Sequence, residues 1–107
     1  ITEAGRQALA KAISVVPAKD KYRSEFLFQM LLQDYLSPEM MLVAIQKQLN
    51  DLNEDLGRIA ECSQKTPVGH GAHFVADYGN AVLTAAVKCL EYKKAELVQH
   101  MAARAAE

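Results

Sequence analysis

The chain has no tryptophan, two cysteines, three prolines and five glycines in 107 residues, and each scarcity removes a class of protein. Two cysteines are too few to lace a small secreted domain. Cys62 and Cys89 both sit in helical patterns, where a small buried thiol in a reducing cytoplasm is the expected state. Neither sign of charge dominates. Twelve Lys and Arg against thirteen Asp and Glu leave a net charge of −1, and no basic stretch is present to neutralise a run of phosphates. These residues alone should bind nucleic acid poorly. The longest apolar run, Met40-Met41-Leu42-Val43-Ala44-Ile45, is far short of the about 20 residues of a membrane span. The N-terminus also lacks the basic-then-apolar pattern of a secretory signal. The expectation is a cytoplasmic protein with no membrane contact.

What is present favours one small folded domain. A hydrophobic fraction of 50% with 23% charged residues suits a globular chain and excludes disorder. The periodicity predicts an all-α fold of about four helices. The first runs from Glu3 to Val15 with Thr2 as N-cap. Gly5 weakens its first turn by roughly 1 kcal/mol relative to Ala, Leu9, Ile13 and Val16 form one narrow apolar stripe, and Pro17 stops it. A second helix is expected over Tyr22–Leu36, where Phe26, Leu27, Phe28, Met30, Leu31, Leu32, Tyr35 and Leu36 cover most of the circumference and call for burial on more than one side.

Ser37 and Pro38 give the strongest local signal, an N-cap followed by proline at the first helical position, with Glu39 against the positive helix end. In the helix that follows, Leu42, Ile45, Leu49, Leu52, Leu56 and Ile59 are separated by alternating steps of three and four. That is the a/d seam of a coiled coil and needs one neighbouring helix, from this chain or another. Residues 63–72, with Pro67, Gly69 and Gly71, read as a long loop between antiparallel neighbours. A last helix from His73 to Arg104 would be roughly 45 Å long at 1.5 Å per residue. It carries two apolar faces: Leu83, Val87, Leu90, Leu97 and Met101, interrupted by Lys94, and Phe74, Tyr78, Ala81, Ala85, Cys89 and Tyr92. Two faces require two sets of partners.

Residues for chemistry are sparse. His70 and His73, with Cys62 and Asp77 as conceivable further ligands, are the nearest approach to a metal motif, but zinc wants four placed ligands and no CxxC or HExxH accompanies them. Neither cysteine has an activating base in its local pattern. Asp51, Glu54 and Asp55 fall on the polar side of their helix, away from the inward carboxylates of a di-iron bundle. The expectation is no catalytic residue, no metal, no cofactor and no enzyme. The aromatic residues could line a pocket for a small apolar effector, although core packing is their ordinary use.

Three segments together resemble the PadR-like transcriptional regulators, in particular their virulence-activator-like C-terminal domain. ITEAGRQALAKAI is similar to the family's exit from the winged-helix wing, a YxLTxxGxxxL pattern matched by Ile1-Thr2, Gly5 and Leu9. RSEFLFQMLLQDYLSPEMMLVAI resembles the next element through Arg23, Glu25-Phe26-Leu27, Leu36 and Pro38-Glu39, and HFVADYGNAVLTAAVKCLEYKKAEL is similar to the closing helix. The tryptophan that many members carry there is absent, with Cys89-Leu90-Glu91-Tyr92 in that region, so no tryptophan-lined ligand site carries over.

The resemblance implies a cytoplasmic bacterial regulator that binds DNA as a homodimer through a winged helix preceding Ile1. Residues 1–16 would be the linker helix and 17–107 the dimerisation unit, with a small apolar effector as a candidate ligand. The absence of an initiator Met fits the same expectation of a preceding segment. The expected interface of an intertwined homodimer is Leu49, Leu52 and Leu56 with Leu83, Val87, Leu90, Leu97 and Met101. The alternatives are a ligand-binding helical domain of another repressor class such as the TetR type, a stand-alone helical adaptor, and a helical metalloprotein using His70, His73 and Cys62.

Overall fold

Three hydroxyls start three helices by the same device. The side chains of Thr2, Ser24 and Ser37 accept hydrogen bonds from the backbone N–H groups of Gly5, Leu27 and Met40 at 3.0, 3.1 and 3.1 Å, each satisfying a donor that the first helical turn leaves open. The structure, a computed structural model, describes residues 2–65 and 67–106. Ile1 of the wing-exit motif, Thr66 of the expected loop and Glu107 at the end of the expected 17–107 unit lie outside the described residues. The elements are α1 (Glu3–Ile13), α2 (Glu25–Leu31), a 3-10 turn (Gln33–Tyr35), α3 (Pro38–Lys65) and α4 (Gly71–Ala106). No strand occurs among the described residues, so the all-α expectation holds, with the long helix last.

The boundaries differ from the sequence reading wherever a local hydrogen bond overrides periodicity. α1 ends at Ile13 rather than Val15, because the Ser14 hydroxyl donates to the Ala10 carbonyl and its N–H to Lys11 O at 3.3 Å, closing the helix ahead of Pro17. The continuous helix expected over Tyr22–Leu36 is instead the seven residues of α2 followed by the 3-10 turn. There the N–H groups of Leu32, Tyr35 and Leu36 reach back three residues, to Gln29, Leu32 and Gln33. The expected loop 63–72 shrinks, since α3 continues to Lys65 and α4 begins at Gly71. Between them His70 donates its N–H to Pro67 O at 3.2 Å, and Gly69 takes φ 87°, which glycine adopts without the Cβ clash of other residues. α4 is 36 residues long, about 54 Å.

α3 and α4 form an antiparallel hairpin. Gln46 meets Lys94 near one end, and Ile59 lies against Gly79 near the other. The six-residue heptad seam of α3 faces α4: Ile45, Leu49 and Leu52 are buried, and Leu42, Leu56 and Ile59 half-buried. Val87 closes this core, with Phe26, Leu56, Leu83, Ala86, Leu90 and Leu97 packed around it. Each fully buried Ile, Leu or Val contributes about 1.5–3 kcal/mol relative to exposure. At Gly79 an added Cβ would stand 3.2 Å from Ile59 Cδ1, so the missing side chain lets the helices approach closely there.

The N-terminal third has no comparable core. No residue of α1 is buried, and the stripe expected to cover one face of it is open: Leu9 and Ile13 are exposed and Val16 is 95% exposed. α2 was expected to be enclosed on more than one side, yet only Phe26, Gln29 and Met30 are half-buried while Phe28 and Leu31 face outward. Both cysteines are exposed, against the buried thiols expected: Cys62 borders an open groove between α3 and the start of α4, and Cys89 borders the groove beside α2. The chain is long and thin, 72 × 29 × 17 Å with a radius of gyration of 20.1 Å, whereas a compact domain of this length would have about 13 Å.

Candidate protein interaction surface

The structure seats the eight residues expected at a dimer interface within a single chain. Leu49, Leu52 and Val87 are buried, and Leu56, Leu83, Leu90 and Leu97 pack against them; Met101 is half-buried further along the same face of α4. Their heptad spacing asks for a neighbouring helix, and the hairpin supplies one. The apolar surface that the chain leaves without a partner therefore lies elsewhere.

It lies on the outer side of α4. Tyr78, Ala85, Cys89 and Tyr92, part of the second face read from the sequence, are joined by Val75 and Val82. These six positions step by three, four, three, four and three, a complete heptad seam in the sense of coiled-coil packing. All six are exposed, the two tyrosines at 65% and 66%. Phe74 and Ala81 widen the strip. The valines were missed because two apolar stripes on one helix leave almost no polar side, and counting in threes and fours from Phe74 instead of Val75 passes them by. Phe28, Leu31 and Tyr35 near the chain's other helices and Val43 on α3 are exposed as well.

The total area is also larger than a compact fold would leave. A compact globule of 11.8 kDa exposes roughly 5,900 Å², while this chain exposes 8968 Å². The excess is on the order of 3,000 Å² per chain, against about 1,000–2,500 Å² buried by each partner of an obligate interface, and the elongated shape of the hairpin accounts for part of it.

Grooves flank the hairpin. One, of about 540 Å³, runs between α2 and the two long helices, with Phe26, Met30, Met41 and Leu90 on its floor and Lys93 and His100 at its edge. On the other flank the Lys94 ammonium donates to Gln46 Oε1 at 2.6 Å, and the Gln46 amide donates to Asn50 Oδ1 at 2.9 Å. Lys94, which interrupts the apolar face of α4 in sequence, thus meets a polar partner at the edge of the seam.

The candidate metal ligands have other roles. His73 Nδ1 lies 3.2 Å from Asp77 Oδ2, and His70 Nδ1 accepts the Ala72 N–H at 3.4 Å at the start of α4. Among the described residues no group of three or more His, Cys, Asp or Glu is arranged to hold a metal ion. The carboxylates of α3 are used in surface pairs: Asp51 with Lys47 at 2.9 Å, and Glu54 and Asp55 with Arg58 at 2.6 and 3.1 Å. Hydrogen bonding to Asp51 raises the Lys47 ammonium above its ordinary pKa, and Glu54, then Asp55, does the same for Arg58. Among the described residues no helix is long and apolar enough to cross a membrane.

An open-sided hairpin of two long helices with short helices before it is the class of fold defined here. It is the fold of a PadR-like transcriptional regulator from Bacillus cereus, whose crystal structure is similar to this chain with a TM-score of 0.83 over 94% of its residues, at 24% sequence identity. The chain corresponds to 62% of that protein's length. No protein-family model and no curated protein sequence matches the chain.

Proposed function

We propose that this chain is the homodimerisation module of a PadR-like, DNA-binding transcriptional regulator. The observation that carries the reading is the outward heptad seam of α4, exposed from Val75 to Tyr92. Closed two-fold dimers are the commonest assembly. A helix presenting a second complete seam supplies the self-complementary strip such a dimer needs. The interface of this reading is therefore Val75, Tyr78, Val82, Ala85, Cys89 and Tyr92, rather than the inner leucines.

The DNA in this reading is contacted by a winged helix on the N-terminal side of α1, and the dimer sets the spacing between two such heads. A near-neutral chain suits that division of labour, because phosphate contacts need a concentration of Lys and Arg that is not found in these residues. The fold shared with the B. cereus regulator and the wing-exit likeness of Thr2, Gly5 and Leu9 support it. No side chain here is assigned a catalytic role.

The test is a repressor fusion. The chain is joined to a repressor's DNA-binding domain that occupies its two-fold operator only as a dimer. Restored repression by the wild-type fusion, lost on Tyr78→Asp/Tyr92→Asp, supports the reading. A wild-type fusion as inactive as the bare DNA-binding domain contradicts it.

A further inference from the structure

The groove beside α2 differs in kind from the outer seam. The seam lies on a single helix, whereas the groove is bounded by α2 with the turn after it, by α3 and by α4. Its volume of about 540 Å³ falls within the range of small-molecule sites, about 300–1,000 Å³. Phe26, Met30, Met41 and Leu90 are half-buried on its floor, so apolar surface stays in water there even with the hairpin closed. Two of these four are methionines, whose unbranched side chains adapt to the shape of a guest. Along α4 the lining runs from Cys89 to His100, about 16 Å at 1.5 Å per residue. The groove is long for its volume, which suits a narrow guest.

The polar lining decides the chemistry of that guest. Lys93 and Glu96 carry opposite charges and stand against each other, with Nζ 3.6 Å from Oε1. The groove therefore presents neither a free cation to a carboxylate nor a free anion to an amine. A charged head group would have to displace one member of the pair or lose hydration without compensation. Gln33 and His100 complete the polar lining. An amide and a neutral imidazole each offer a donor and an acceptor, a combination that a hydroxyl, itself donor and acceptor, satisfies.

We propose that the α2 groove binds an uncharged amphipathic molecule, an unbranched aliphatic chain ending in a hydroxyl. The chain lies along Phe26, Met30, Met41 and Leu90, and the hydroxyl is held by Gln33 or His100. The site goes beyond the homodimer reading and does not depend on it, since it needs only α2 against the hairpin of one chain.

The probe is N-phenylnaphthylamine, an uncharged apolar dye that fluoresces when it leaves water. It should bind the full chain saturably and be displaced by decanol. Decanoate and decylamine, the same chain with a charged end at neutral pH, should need at least about tenfold higher concentrations. Met30→Lys, which puts an ammonium on the floor, should weaken dye binding by about tenfold or more with the helical signal unchanged in circular dichroism. Met41→Lys makes the same test from α3, where a folding defect in α2 plays no part. Gln33→Ala/His100→Ala should leave the dye bound and weaken decanol, separating the hydroxyl contact from the chain contact. Tyr78→Asp/Tyr92→Asp should leave dye binding unchanged, because neither tyrosine lines the groove.

Dye binding that is absent, that survives both lysine variants, or that disappears with the outer tyrosines overturns the proposal. So does decanoate or decylamine competing as well as decanol, or decanol competing equally well in the double alanine variant. Light scattering on the same samples keeps the two readings apart. A dimer that does not bind the dye overturns this inference alone, and a monomer that binds it as described overturns only the homodimer reading.

Discussion

α4 has two apolar faces built on the same spacing, and they meet opposite environments. The inner face, through Leu83, Val87, Leu90 and Leu97, is packed against Ile45, Leu49 and Leu52 of α3. The outer face, from Val75 to Tyr92, is exposed. The difference shows that heptad spacing specifies a demand for a neighbour without specifying which chain provides it. The inner face is richer in leucine and receives the helix that a short connection delivers, while the outer face is richer in tyrosine and small residues. Tyrosine suits a surface that is wet before assembly and dry after it, since its hydroxyl keeps a polar end.

Perturbing each face in turn should separate the two roles. The largest effect is expected inside: Leu49→Ala, at a position 4% exposed, should cost about 2–5 kcal/mol through lost burial and an unfilled cavity. Chemical denaturation followed by circular dichroism reads this directly. On the outer face, Tyr78→Asp/Tyr92→Asp should leave the helical signal intact and weaken self-association on the order of a hundredfold, equivalent to about 2.8 kcal/mol; sedimentation velocity over a dilution series measures it. If the same variant unfolds the chain, the two faces are not separable as described here.

Smaller effects come from positions outside both seams. Gly57 lies within α3 and an added Cβ there meets no atom within 4 Å. Gly57→Ala should therefore stabilise the chain by about 0.5–1 kcal/mol through helix propensity alone, seen as a raised Tm. The least is expected from Lys47 and Asp51. The pair raises the pKa of Lys47 above its ordinary 10.5, so its contribution is complete below that pH and is lost as pH climbs through the folded-state value. Because both side chains are solvated, the loss should be barely measurable in an alkaline denaturation series and should vanish with added salt.

Much of the fold was legible in the sequence because its signals were local or periodic. Ser37-Pro38 gave the start of α3, and the alternating threes and fours from Leu42 to Ile59 gave the seam that α3 buries. The two faces of α4 were equally plain, down to the polar interruption at Lys94. Legibility failed where the outcome depended on a choice between chains. The seam of α3 left open whether its neighbour came from the same chain or another, and the hairpin supplies one from the same chain, because a short turn brings α4 against α3 at far higher local concentration than any second molecule.

It failed again over Tyr22–Leu36, where dense apolar residues imply a buried helix. With a single chain to pack against, only Phe26, Met30 and Leu36 of its apolar residues are half-buried and the helix shortens to α2. The exposed Leu9, Ile13 and Val16 belong with these: their pattern states a demand that the described residues do not meet. The candidate metal ligands illustrate the converse, since His70 and His73 are close in sequence yet each is engaged locally, with the Ala72 N–H and with Asp77.

The central claim is that the outer face of α4 is covered by a second copy of the same chain. Sedimentation equilibrium at micromolar concentration tests it most directly. The account predicts a mass twice the chain's 11.8 kDa, falling to the single-chain mass in the Tyr78→Asp/Tyr92→Asp variant. A wild-type chain that sediments as a folded monomer throughout that range would contradict it.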